Sequence, residues 1–404
     1  MSPSPLISVD EALQRVLDSV TPLPSEEVPI AAAHGRVLAA PLASRRTQPG
    51  ADLSAMDGYA ARAADLAAPA TLKLAGTSAA GRPYPGSLKP GETVRIFTGA
   101  LLPAGADAVI PQEDAKAEGD RVALPASKPG QYVRRKGLDF SQGQVLLEAG
   151  RRITARDVAL IAAMDYARVP VARRPRVAIL ATGDELVPPG TGAGPERTVA
   201  SNPLSLGALL RSEGAETVDL GVAADQIDAI ASTIRKARAA GNDVLVTLGG
   251  ASVGEHDLVA RALRAEDVAI DFHRVALRPG RPMLLGIAGT LRVLGLPGNP
   301  VSSFVCAVLF LVPLLRKLQG RRDFLPETEP ATIGRALPAN DHRQDYLRAR
   351  IERGADGRLV ATALDRQDSS MVAYLAGANG LLIRPPHAPA AAPGDLCKVI
   401  RFTD

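Results

Sequence analysis

The sequence has few of the residues on which several classes of protein depend. The chain of 404 residues has no tryptophan and only two cysteines, and aromatic residues make up 3% of it. Single-strand nucleic-acid binders stack bases on aromatic side chains, so this composition disfavours that class. Cys306 and Cys397 lie far apart without a Cys-x-x-Cys spacing. A disulfide framework and a structural zinc site are therefore unsupported.

The sequence also lacks a strong excess of one charge and a long apolar run. The 47 Lys and Arg residues nearly balance the 43 Asp and Glu residues, which leaves a net charge of +4 and argues poorly for a DNA-binding face. The longest apolar run, 301–315, is too short for a membrane span and contains polar residues and a proline, so it predicts a buried helix. The first residues carry neither a basic nor an apolar signal region. We expect a cytoplasmic protein whose partners include neither nucleic acid nor a membrane.

The hydrophobic pattern predicts several domains of different class. Residues 44–143 carry short apolar runs between Gly and Pro, which predicts a small β-rich domain inserted into a helical or extended frame. From Arg174 onward, short apolar strands alternate with helices, which predicts a parallel sheet with right-handed crossovers and a hairpin at Gly289 and Thr290. After about residue 325, an alternation of period two predicts a small C-terminal β-barrel or sandwich.

Unusual residues occupy four turns at the predicted carboxyl ends of the α/β strands, where open parallel sheets bind ligands. These turns are 182–185, the loop with Asp225, 249–257 and 297–300. In the Gly-Gly-Ala-Ser-Val-Gly sequence at 249–254, glycines let backbone N–H groups approach an anion, and the next helix adds a favourable dipole. The alternative is a tight turn without a ligand. No Gly-Lys-Ser/Thr follows, so this is not a Walker loop.

Four carboxylates, Asp184, Glu185, Asp225 and Asp257, are predicted to converge on the same crevice. Acidic groups beside a phosphate site favour a bridging Mg²⁺, which uses few protein carboxylates together with substrate oxygens. The alternative is that each one is a helix cap or a solvated turn residue. The Pro-Gly-Asn-Pro sequence at 297–300 likewise predicts either a rigid turn that a ligand approaches or an ordinary helix start.

Three arginines, Arg274, Arg278 and Arg281, end the next predicted strand. Arg274 and Arg278 are four residues apart, so they share a face if the chain is extended. Arginines in this position suit an oxyanion, which they hold by charge-assisted hydrogen bonds. A solvated strand end is the alternative.

Six short motifs occur one after another over most of the chain. Each is loose alone, but they are specific as a set. Together they resemble the molybdopterin molybdenumtransferases, the family of the bacterial MoeA proteins and the E domain of gephyrin. The motifs are Ser54-Ala55-Met56-Asp57-Gly58-Tyr59, Thr98-Gly99-Ala100, Gly105-Ala106-Asp107-Ala108-Val109, Thr182-Gly183-Asp184-Glu185-Leu186, Gly249-Gly250-Ala251-Ser252-Val253-Gly254 and Pro297-Gly298-Asn299-Pro300-Val301-Ser302.

The resemblance implies a multidomain α/β plus β fold with four parts. They are an elongated discontinuous domain (1–43 and 144–174), an inserted β-rich domain (44–143), a three-layer α/β molybdopterin-binding domain (175–325) and a C-terminal β-barrel (326–404). The implied reaction inserts molybdate into the dithiolene of adenylylated molybdopterin, releases AMP and forms the molybdenum cofactor. It is implied to require Mg²⁺. The resemblance also implies a homodimer in which Asp57 and Thr98 reach across to the partner's site. It allows a transient contact with molybdopterin adenylyltransferase.

The site residues follow from the same resemblance. Catalytic roles fall on Asp57, Glu185, Asp225 and Asp257, and the metal ligands are Asp225 and Asp257. Substrate binding falls on Thr98, Gly99, Thr182, Asp184, Asn202, Gly249, Gly250, Ser252, Gly254, Pro297, Gly298, Asn299, Pro300, Ser302, Arg274, Arg278, Arg348 and Ser369. Among these, Arg274, Arg278, Arg348 and Ser369 are the implied molybdate ligands.

The chain departs from the family pattern at several positions. Arg274, Arg278 and Arg281 stand where the family commonly has lysine, which keeps the charge but offers a planar fork that does not readily lose a proton. Ala251 replaces a usual valine. Asp368 replaces a usual glycine and adds a negative charge beside the implied molybdate site. The preference between molybdate and tungstate is left open by these changes.

Two other functions remain possible from the sequence. One is a molybdopterin adenylyltransferase, whose single-domain relatives share the α/β domain and the glycine-rich loop, although the flanking domains and the motifs at Asp57 and Thr98 argue against it. The other is a non-enzymatic scaffold of the gephyrin E-domain type. The sequence shows no long interaction linker that would favour a scaffold.

Overall fold

A computed structural model describes residues 6–250 and 258–402. The chain opens with a helix whose first turn is capped by Ser8, because the Ser8 Oγ accepts a hydrogen bond from the Glu11 N–H at 3.1 Å. Its apolar residues recur at helical spacing and are buried. The first elements are α1 (Val9–Asp18), β1 (Ser25–Pro29) and β2 (Leu42–Ala43).

The next segment is made of short strands. The strands are β3 (Leu53–Ser54), β4 (Gly58–Ala61), β5 (Ala70–Ser78), β6 (Glu92–Ile96), β7 (Ala108–Pro111), β8 (Lys116–Glu118), β9 (Arg121–Leu124) and β10 (Val133–Arg134). Strands β4 to β9 form one mixed sheet in the order β7-β4-β6-β5-β9-β8. Short 3₁₀ turns occur at Ile30–Ala32, Ala63–Leu66 and Gln112–Asp114.

The chain then returns to pair with its own beginning. It does so through β11 (Val145–Leu147), α2 (Ala155–Ala163) and β12 (Arg168–Ala172). β1 pairs antiparallel with β12, and β2 pairs antiparallel with β11. The helix α2 begins with a complete capping box between Thr154 and Asp157. The β-rich segment is thus inserted into a frame built from two separate parts of the chain.

A second sheet, with helices on both faces, follows. Its strands and helices are β13 (Arg176–Thr182), β14 (Leu186–Val187), β15 (Thr198–Val199), α3 (Asn202–Ser212), β16 (Glu216–Ala223), α4 (Ile227–Ala239), β17 (Val244–Leu248), α5 (Leu258–Ala265), β18 (Ala269–Phe272), β19 (Leu277–Arg278), β20 (Leu284–Ala288) and β21 (Leu291–Leu296). The strand order is β16-β13-β17-β21-β20-β18. Only β16, β13, β17 and β21 run parallel, since β20 and β18 pair antiparallel with their neighbours. The hairpin predicted at Gly289 and Thr290 is confirmed between β20 and β21, and β18 continues this antiparallel edge of the sheet.

Each face of this sheet contributes to a different core, which gives three layers. Val177 and Ile179 of β13 face a cluster that includes α1, α3 and the helix after β21, whereas Ala178 and Leu180 face α4 and α5. This alternation is the period of two that β-strands impose on side chains. The expected three-layer α/β fold is confirmed.

The helix after β21 is continuous over Pro300–Leu318. It consists of α6 (Pro300–Cys306), a π-helical turn (Ala307–Leu311) and α7 (Val312–Leu318). Pro313 has no N–H to donate to the preceding turn, and the wide π turn lies directly before it. The helix is long and apolar enough to cross a membrane, but 78% of its most apolar window is buried inside the protein. It is the buried helix that the sequence predicts.

The last part of the chain is a closed barrel of five strands. It contains β22 (Glu329–Ile333), β23 (Gln344–Arg353), β24 (Leu359–Ala363), the short helix α8 (Val372–Ala376), β25 (Gly380–Arg384) and β26 (Leu396–Arg401). The order β23-β24-β22-β26-β25 closes through pairing of β25 with β23. The outer face of the barrel packs on the α/β domain, since Tyr346, Leu381 and Ile400 belong to the same core as α1 and the helix Pro300–Leu318. β19 also pairs in parallel with β23.

A candidate ligand-binding crevice

The four parallel strands of the α/β sheet end at one edge, and the predicted turns meet there. β13 ends at Thr182, and Asp225 follows β16 by two residues. Gly249 follows β17, and Pro297 follows β21. Because the ends of neighbouring parallel strands lie side by side, these turns line a single crevice.

Glycines bring the turns after β13 and β17 into close contact. Gly249 and Gly250 have positive φ angles of 90° and 63°, a conformation that other residues rarely adopt. A Cβ atom on Gly249 would lie 2.7 Å from the carbonyl oxygen of Thr182, and one on Gly250 would lie 2.6 Å from a methyl carbon of Val259. No side chain therefore fits at either position. The rest of the predicted cradle, including Ser252 and Gly254, lies outside the described residues.

The turn after β21 packs directly on the glycine turn. A Cβ atom on Gly298 would lie 3.4 Å from the Cα of Gly249. The Asn202 side-chain amide, at the start of α3, donates to the Gly298 carbonyl oxygen at 2.7 Å. Pro300 begins the next helix, and Ser302 is buried in its first turn. The Pro-Gly-Asn-Pro sequence is thus a rigid wall of the crevice as well as a helix start.

The barrel contributes a loop to this wall. The Asn299 side-chain amide donates to the Ser369 Oγ at 2.7 Å. The Val301 N–H donates to the Ser369 carbonyl oxygen at 3.1 Å. The structure therefore brings Ser369 to the crevice through two hydrogen bonds, although Ser369 is 70 residues from Asn299 in sequence.

Three of the four predicted carboxylates lie together at the end of β13 and β16. The Asp225 N–H donates to the Asp184 Oδ1 at 3.1 Å, and all three side chains, including Glu185, are exposed. The pKa of Asp225 is raised, first because the surrounding protein reduces its hydration and then because Asp184 and Glu185 repel a further negative charge. The Arg197 guanidinium donates to the Asp184 backbone carbonyl at 2.5 Å, and none of the three carboxylates forms an ion pair with another described residue.

A complete protein metal cage is not present in the described parts of the chain. Over residues 6–250 and 258–402, no group of three or more His, Cys, Asp or Glu side chains is placed to hold a metal ion. The second predicted metal ligand, Asp257, lies outside the described residues. The crowded carboxylate of Asp225 remains the metal-ligand candidate that the structure does describe.

The two arginines predicted to share a strand face are in different situations. β18 ends at Phe272 and β19 starts at Leu277, so Arg274 and Arg278 do not lie on one extended strand. The Arg274 Nε is buried and has no hydrogen-bond partner among the described residues. The Arg278 guanidinium instead binds Asp345 and the Asn340 side-chain oxygen, and lies 3.4 Å from Asp341. Arg274 has an unused donor, whereas Arg278 is held by protein acceptors.

Arg348 is also held by the protein. Its residue is 1% exposed, and its guanidinium donates to backbone carbonyl oxygens of Arg366, Asp368 and Met371. Burial lowers the pKa of this guanidinium below its usual value. The role of Arg348 as a molybdate ligand, which the resemblance implies, stays a prediction. Asp368 itself is exposed, and its carboxylate accepts hydrogen bonds from the Ser370 N–H and hydroxyl.

Asp57, Thr98 and Gly99 form a separate unit in the inserted domain. The Asp57 Oδ1 accepts hydrogen bonds from the Thr98 N–H at 2.7 Å and the Thr98 hydroxyl at 2.8 Å. These bonds, the N–H first, lower the pKa of Asp57. No hydrogen bond or ion pair within the described residues joins 47–143 to 175–402. Among the described residues, no hydrogen bond therefore connects this pair to the crevice of the same chain.

Several residues that organise the site were missed by sequence reasoning. Gln367 binds Arg348, Asn340 and Asp345 bind Arg278, and Arg197 binds the Asp184 backbone carbonyl. None of them had a local signal, because β23 alternates polar and apolar residues and Asp345 does not stand out within it. Two cavities, of about 670 and 580 Å³, lie elsewhere and share none of the crevice residues named above.

Comparison with known proteins gives the family. Models of the MoeA N-terminal region (domain I and II), a probable molybdopterin binding domain and the MoeA C-terminal region (domain IV) match residues 7–164, 178–317 and 330–402. A molybdopterin molybdenumtransferase 2 from Mycobacterium tuberculosis is 34% identical over 388 residues, which are 93% of this chain and 95% of that protein. The chain belongs to the molybdopterin molybdenumtransferase family.

Other relatives agree with this membership. The molybdopterin molybdenumtransferase of Haemophilus influenzae is 32% identical over 94% of both chains, and that of Nostoc sp. is 38% identical over 78% of this chain and 76% of the relative. The crystal structure of the molybdopterin biosynthesis MoeA protein from Pyrococcus horikoshii has a TM-score of 0.86 and 31% identity. It covers 99% of this chain and 100% of its own. The resemblance first seen in six motifs extends over the whole family fold.

Proposed function

We propose that this protein inserts molybdate into the dithiolene of adenylylated molybdopterin, releases AMP and so forms the molybdenum cofactor. The observation that carries this proposal is the crevice itself. Backbone-lined turns from three parallel strands meet a barrel loop there through the hydrogen bonds of Ser369. The family membership, with relatives named molybdopterin molybdenumtransferases, supports the same reaction and does not favour an adenylyltransferase or a pure scaffold.

Each part of the crevice suits one part of this substrate. Gly249, Gly250 and Gly298 leave room for a phosphate to approach the backbone, where N–H groups and a helix N-terminus favour negative charge. The unused Nε–H of Arg274 suits an oxyanion, because a buried donor without an acceptor costs free energy until a ligand supplies one. We therefore assign pterin phosphate to the glycine turns and oxyanion binding to Arg274 and the Ser369 loop.

Mg²⁺ fits the acidic side of the crevice as a partly substrate-held ion. Mg²⁺ needs only one or two protein carboxylates when phosphate oxygens supply other ligands. The mutual repulsion of Asp225, Asp184 and Glu185, which raises the pKa of Asp225, is what a divalent cation would relieve. Asp225, with Asp257, would hold the ion, and the ion would neutralise charge that develops on the phosphate as AMP leaves.

The protein residues would act mainly by positioning. Release of AMP breaks the phosphoanhydride bond between the pterin phosphate and the nucleotide, an oxygen of water forms the replacing P–O bond, and AMP departs as a phosphate anion. Each dithiolene sulfur that bonds to molybdenum displaces one molybdate oxygen, which takes up protons and leaves as water. The glycine turns fix the phosphate on one side of that bond, and Glu185 and Asp184 lie at the mouth of the crevice beside Asp225. Holding both substrates in a fixed geometry lowers the entropic part of the barrier.

A homodimer would complete the site. Asp57 and Thr98 form a hydrogen-bonded polar pair that, among the residues the structure describes, has no hydrogen bond to the crevice of its own chain. Beside it, Met56, Phe97, Leu101 and Tyr132 are large apolar side chains that are 37–43% exposed. We propose that this surface faces a second copy, and that Asp57 enters the partner's crevice. Sedimentation at micromolar concentration should then show twice the chain mass of 42.0 kDa.

The activity is tested by single-turnover AMP release. The wild type, given adenylylated molybdopterin, should release AMP only when both molybdate and Mg²⁺ are added, and the product should reconstitute a molybdenum-cofactor-dependent apoenzyme. An adenylyltransferase would instead consume ATP and release pyrophosphate. A scaffold would leave the adenylylated pterin intact under every condition.

The shared site is tested by complementation between two inactive variants. Asp57→Ala and Gly249→Ala should each abolish AMP release without unfolding the protein. If the site takes Asp57 from one subunit and the crevice from the other, mixed dimers contain one intact site, and random mixing should restore about a quarter of wild-type activity. Activity that stays absent after subunit exchange would show that Asp57 acts within its own chain.

A further inference from the structure

The start of β4 and the ends of β6 and β7 meet at one edge of the inserted sheet. These three strands are neighbours in the order β7-β4-β6, and β4 runs antiparallel to both of the others. Asp57 directly precedes β4, Thr98 follows β6 by two residues, and Gln112 directly follows β7. The pair formed by Asp57 and Thr98 is therefore built on strand ends, which hold a side chain more precisely than a free loop does.

Gly58, the first residue of β4, brings the turn that carries Asp57 close to β7. A Cβ atom on Gly58 would lie 1.9 Å from the carbonyl oxygen of Ile110, so no side chain fits there. The Gln112 N–H donates to the Asp57 carbonyl oxygen at 3.0 Å. The backbone of Asp57 and Gly58 is thus held against the end of β7.

Arg95 joins the same strand ends through its side chain. It lies on β6, directly opposite Tyr59 of β4. Its Nη1 donates to the Gly58 carbonyl oxygen at 3.2 Å, and its Nη2 donates to the Gln112 side-chain oxygen. One guanidinium therefore binds the residue after Asp57 and also the residue that holds the Asp57 carbonyl group.

Two aromatic rings hold this guanidinium in place. Its central carbon lies 5.1 Å from the ring centroid of Tyr59 and 5.1 Å from that of Phe97. Both distances are within the range of cation–π attraction. Tyr59 is buried, whereas Phe97 is exposed. The side chain of Arg95 is thus fixed by two hydrogen bonds and two rings.

The Asp57 carboxylate has one oxygen that no described residue binds. Thr98 donates both its N–H and its hydroxyl to Oδ1, and among the described residues no hydrogen bond reaches Oδ2. The N–H bond and then the hydroxyl bond lower the pKa of Asp57 most, and the positive charge of Arg95 lowers it further. Asp57 is therefore an ionised carboxylate with a fixed orientation and one open oxygen.

We propose that Arg95 is a positioning residue, which ties the start of β4 to the end of β7 and so sets the direction in which Asp57 reaches into the partner's crevice. The role in catalysis rests on the proposed function, whereas the tie between the strand ends does not. Both hydrogen bonds of Arg95 go to groups that flank Asp57. The effect of Arg95 on AMP release is therefore transmitted through Asp57.

The structural part is tested by amide hydrogen exchange in the protein without substrates. Arg95→Met keeps much of the apolar stem but has no donor, and Arg95→Lys keeps the charge but lacks the planar fork. Peptides that contain Thr98 and Gln112, whose N–H groups donate to Asp57, should exchange roughly 10-fold faster in Arg95→Met, with a smaller increase in Arg95→Lys. Arg121→Ala removes an exposed arginine of β9 in the same sheet and should leave this exchange unchanged.

The catalytic part is tested by separating rate from affinity in AMP release. Arg95→Met should lower the rate at saturating substrates at least roughly 10-fold, because a displacement of about 1 Å at a reacting site costs up to about 100-fold. The half-saturation concentrations of molybdate and adenylylated molybdopterin should change by less than about twofold, because the crevice that binds them belongs to the other subunit. Arg95→Lys should recover part of the rate.

Complementation then assigns Arg95 to one side of the shared site. Mixed with Gly249→Ala, Arg95→Met should reach about a quarter of wild-type activity, because one site in each mixed dimer combines an intact Asp57 turn with an intact crevice. Mixed with Asp57→Ala, it should stay at or below its own activity, because every site then has a defective Asp57 turn.

Three results would overturn the proposal. Unchanged exchange at Thr98 and Gln112 in both Arg95 variants would show that the arginine does not hold the Asp57 turn. Recovery in the mixture of Arg95→Met with Asp57→Ala would show that Arg95 serves the crevice of its own chain. A raised molybdate half-saturation with an unchanged rate would make Arg95 an anion ligand.

Other results concern the proposed function alone. A wild-type protein that releases no AMP would refute that function. If neither Asp57→Ala nor Arg95→Met recovers with Gly249→Ala, the site is not shared between subunits. In both cases the exchange measurement still decides whether Arg95 holds Asp57.

Discussion

The two sides of the crevice are built in opposite ways. On the α/β side, Gly249, Gly250 and Gly298 bring backbone together, and nearby charges such as Asp225 have no cationic partner among the described residues. On the barrel side, Arg348, and Arg278 where β19 pairs with the barrel, are charged side chains that already donate to several protein acceptors. Polar groups on the α/β side lack partners that a ligand could supply, whereas those on the barrel side already have partners within the protein.

The difference shows which residues are expected to bind and which to support. Unsatisfied groups gain most from a ligand, because binding removes a cost that folding has left in place. Satisfied groups gain little, since any new contact must replace an existing hydrogen bond. We therefore expect substitutions on the α/β side to remove affinity directly.

The largest effect should come from Gly249→Ala. The added methyl group would meet the Thr182 carbonyl oxygen at 2.7 Å, and the φ of 90° is unfavourable for alanine by about 1–2 kcal/mol. AMP release should fall at least roughly 100-fold, since a displacement of about 1 Å costs that much in catalytic geometry. Gly289→Ala, with a φ of 60° and open space around it, carries the conformational cost alone and should retain activity. Equal losses in both variants would show that stability, and not the crevice, is responsible.

The next effect should come from Arg274→Ala. Its buried Nε–H has no acceptor among the described residues, so a bound oxyanion would gain a full charge-assisted bond. Removing such a contact costs roughly 1.5–3 kcal/mol, so molybdate half-saturation should rise on the order of 10- to 150-fold. Arg264→Ala, an exposed arginine of α5, serves as the control for general loss of positive charge. An Arg274 variant that behaves like Arg264→Ala would place the anion elsewhere.

A moderate effect with a defined pH dependence should come from Asp225→Asn. The raised pKa of Asp225 means that the folded state disfavours the ionised carboxylate. The contribution of this group to folding stability is therefore fully present below its unfolded pKa and is lost as the pH rises through its folded pKa. In EDTA, thermal melts of wild type and Asp225→Asn should coincide near about pH 4 and diverge above it, with the asparagine variant more stable at pH 7–8.

The same variant tests magnesium. Adding Mg²⁺ at pH 7–8 should raise the melting temperature of the wild type, because an ion bound only by the folded state stabilises it. Asp225→Asn should not respond. A response of equal size in both proteins would exclude Asp225 as a metal ligand.

The smallest effect should come from Asp368→Gly. The Asp368 carboxylate is exposed and turned toward Ser370, and the contact of its residue with Arg348 is made by the backbone carbonyl. An exposed charge is screened by salt over about 8 Å at physiological ionic strength, so molybdate half-saturation should change by less than about twofold. A larger change would mean that this departure from the family pattern sets anion affinity, and that the barrel side binds directly.

Much of the α/β domain was predictable, because its strands are nearly continuous apolar runs and each is followed by a turn of unusual composition. The runs at 176–181 and 244–248 gave the strands, and strand order then placed Thr182 and Gly249 at one edge. The Gly-Thr pair at 289–290 also indicated the hairpin between β20 and β21, whereas the antiparallel pairing of β18 with β20 left no local signal, since an apolar strand at a sheet edge looks the same in either direction.

The barrel side was harder to predict for a physical reason. Period-two alternation separates the faces of β23, but it does not say what covers the outer face. The sequence therefore did not indicate that Arg348 is buried together with Tyr346 on the face that packs against the α/β domain. The partners of Arg278 are 62 to 67 residues away in sequence, beyond the reach of any local pattern.

The short strand β19 has a mechanical consequence. It belongs to the α/β part of the chain, yet Leu277 and Arg278 pair in register with Gln344 and Asp345 of the barrel strand β23. Hydrogen bonds between paired strands oppose sliding of one strand along the other, so this pairing resists sliding of the two domains against each other. A force applied across the β19–β23 pairing should therefore meet resistance. Opening and closing of the crevice would then come from movement where the discontinuous domain joins the rest of the chain. An isolated α/β domain cut at residue 325 would expose this strand as an unpaired edge, so the two domains are poor candidates for separation and exchange as independent modules.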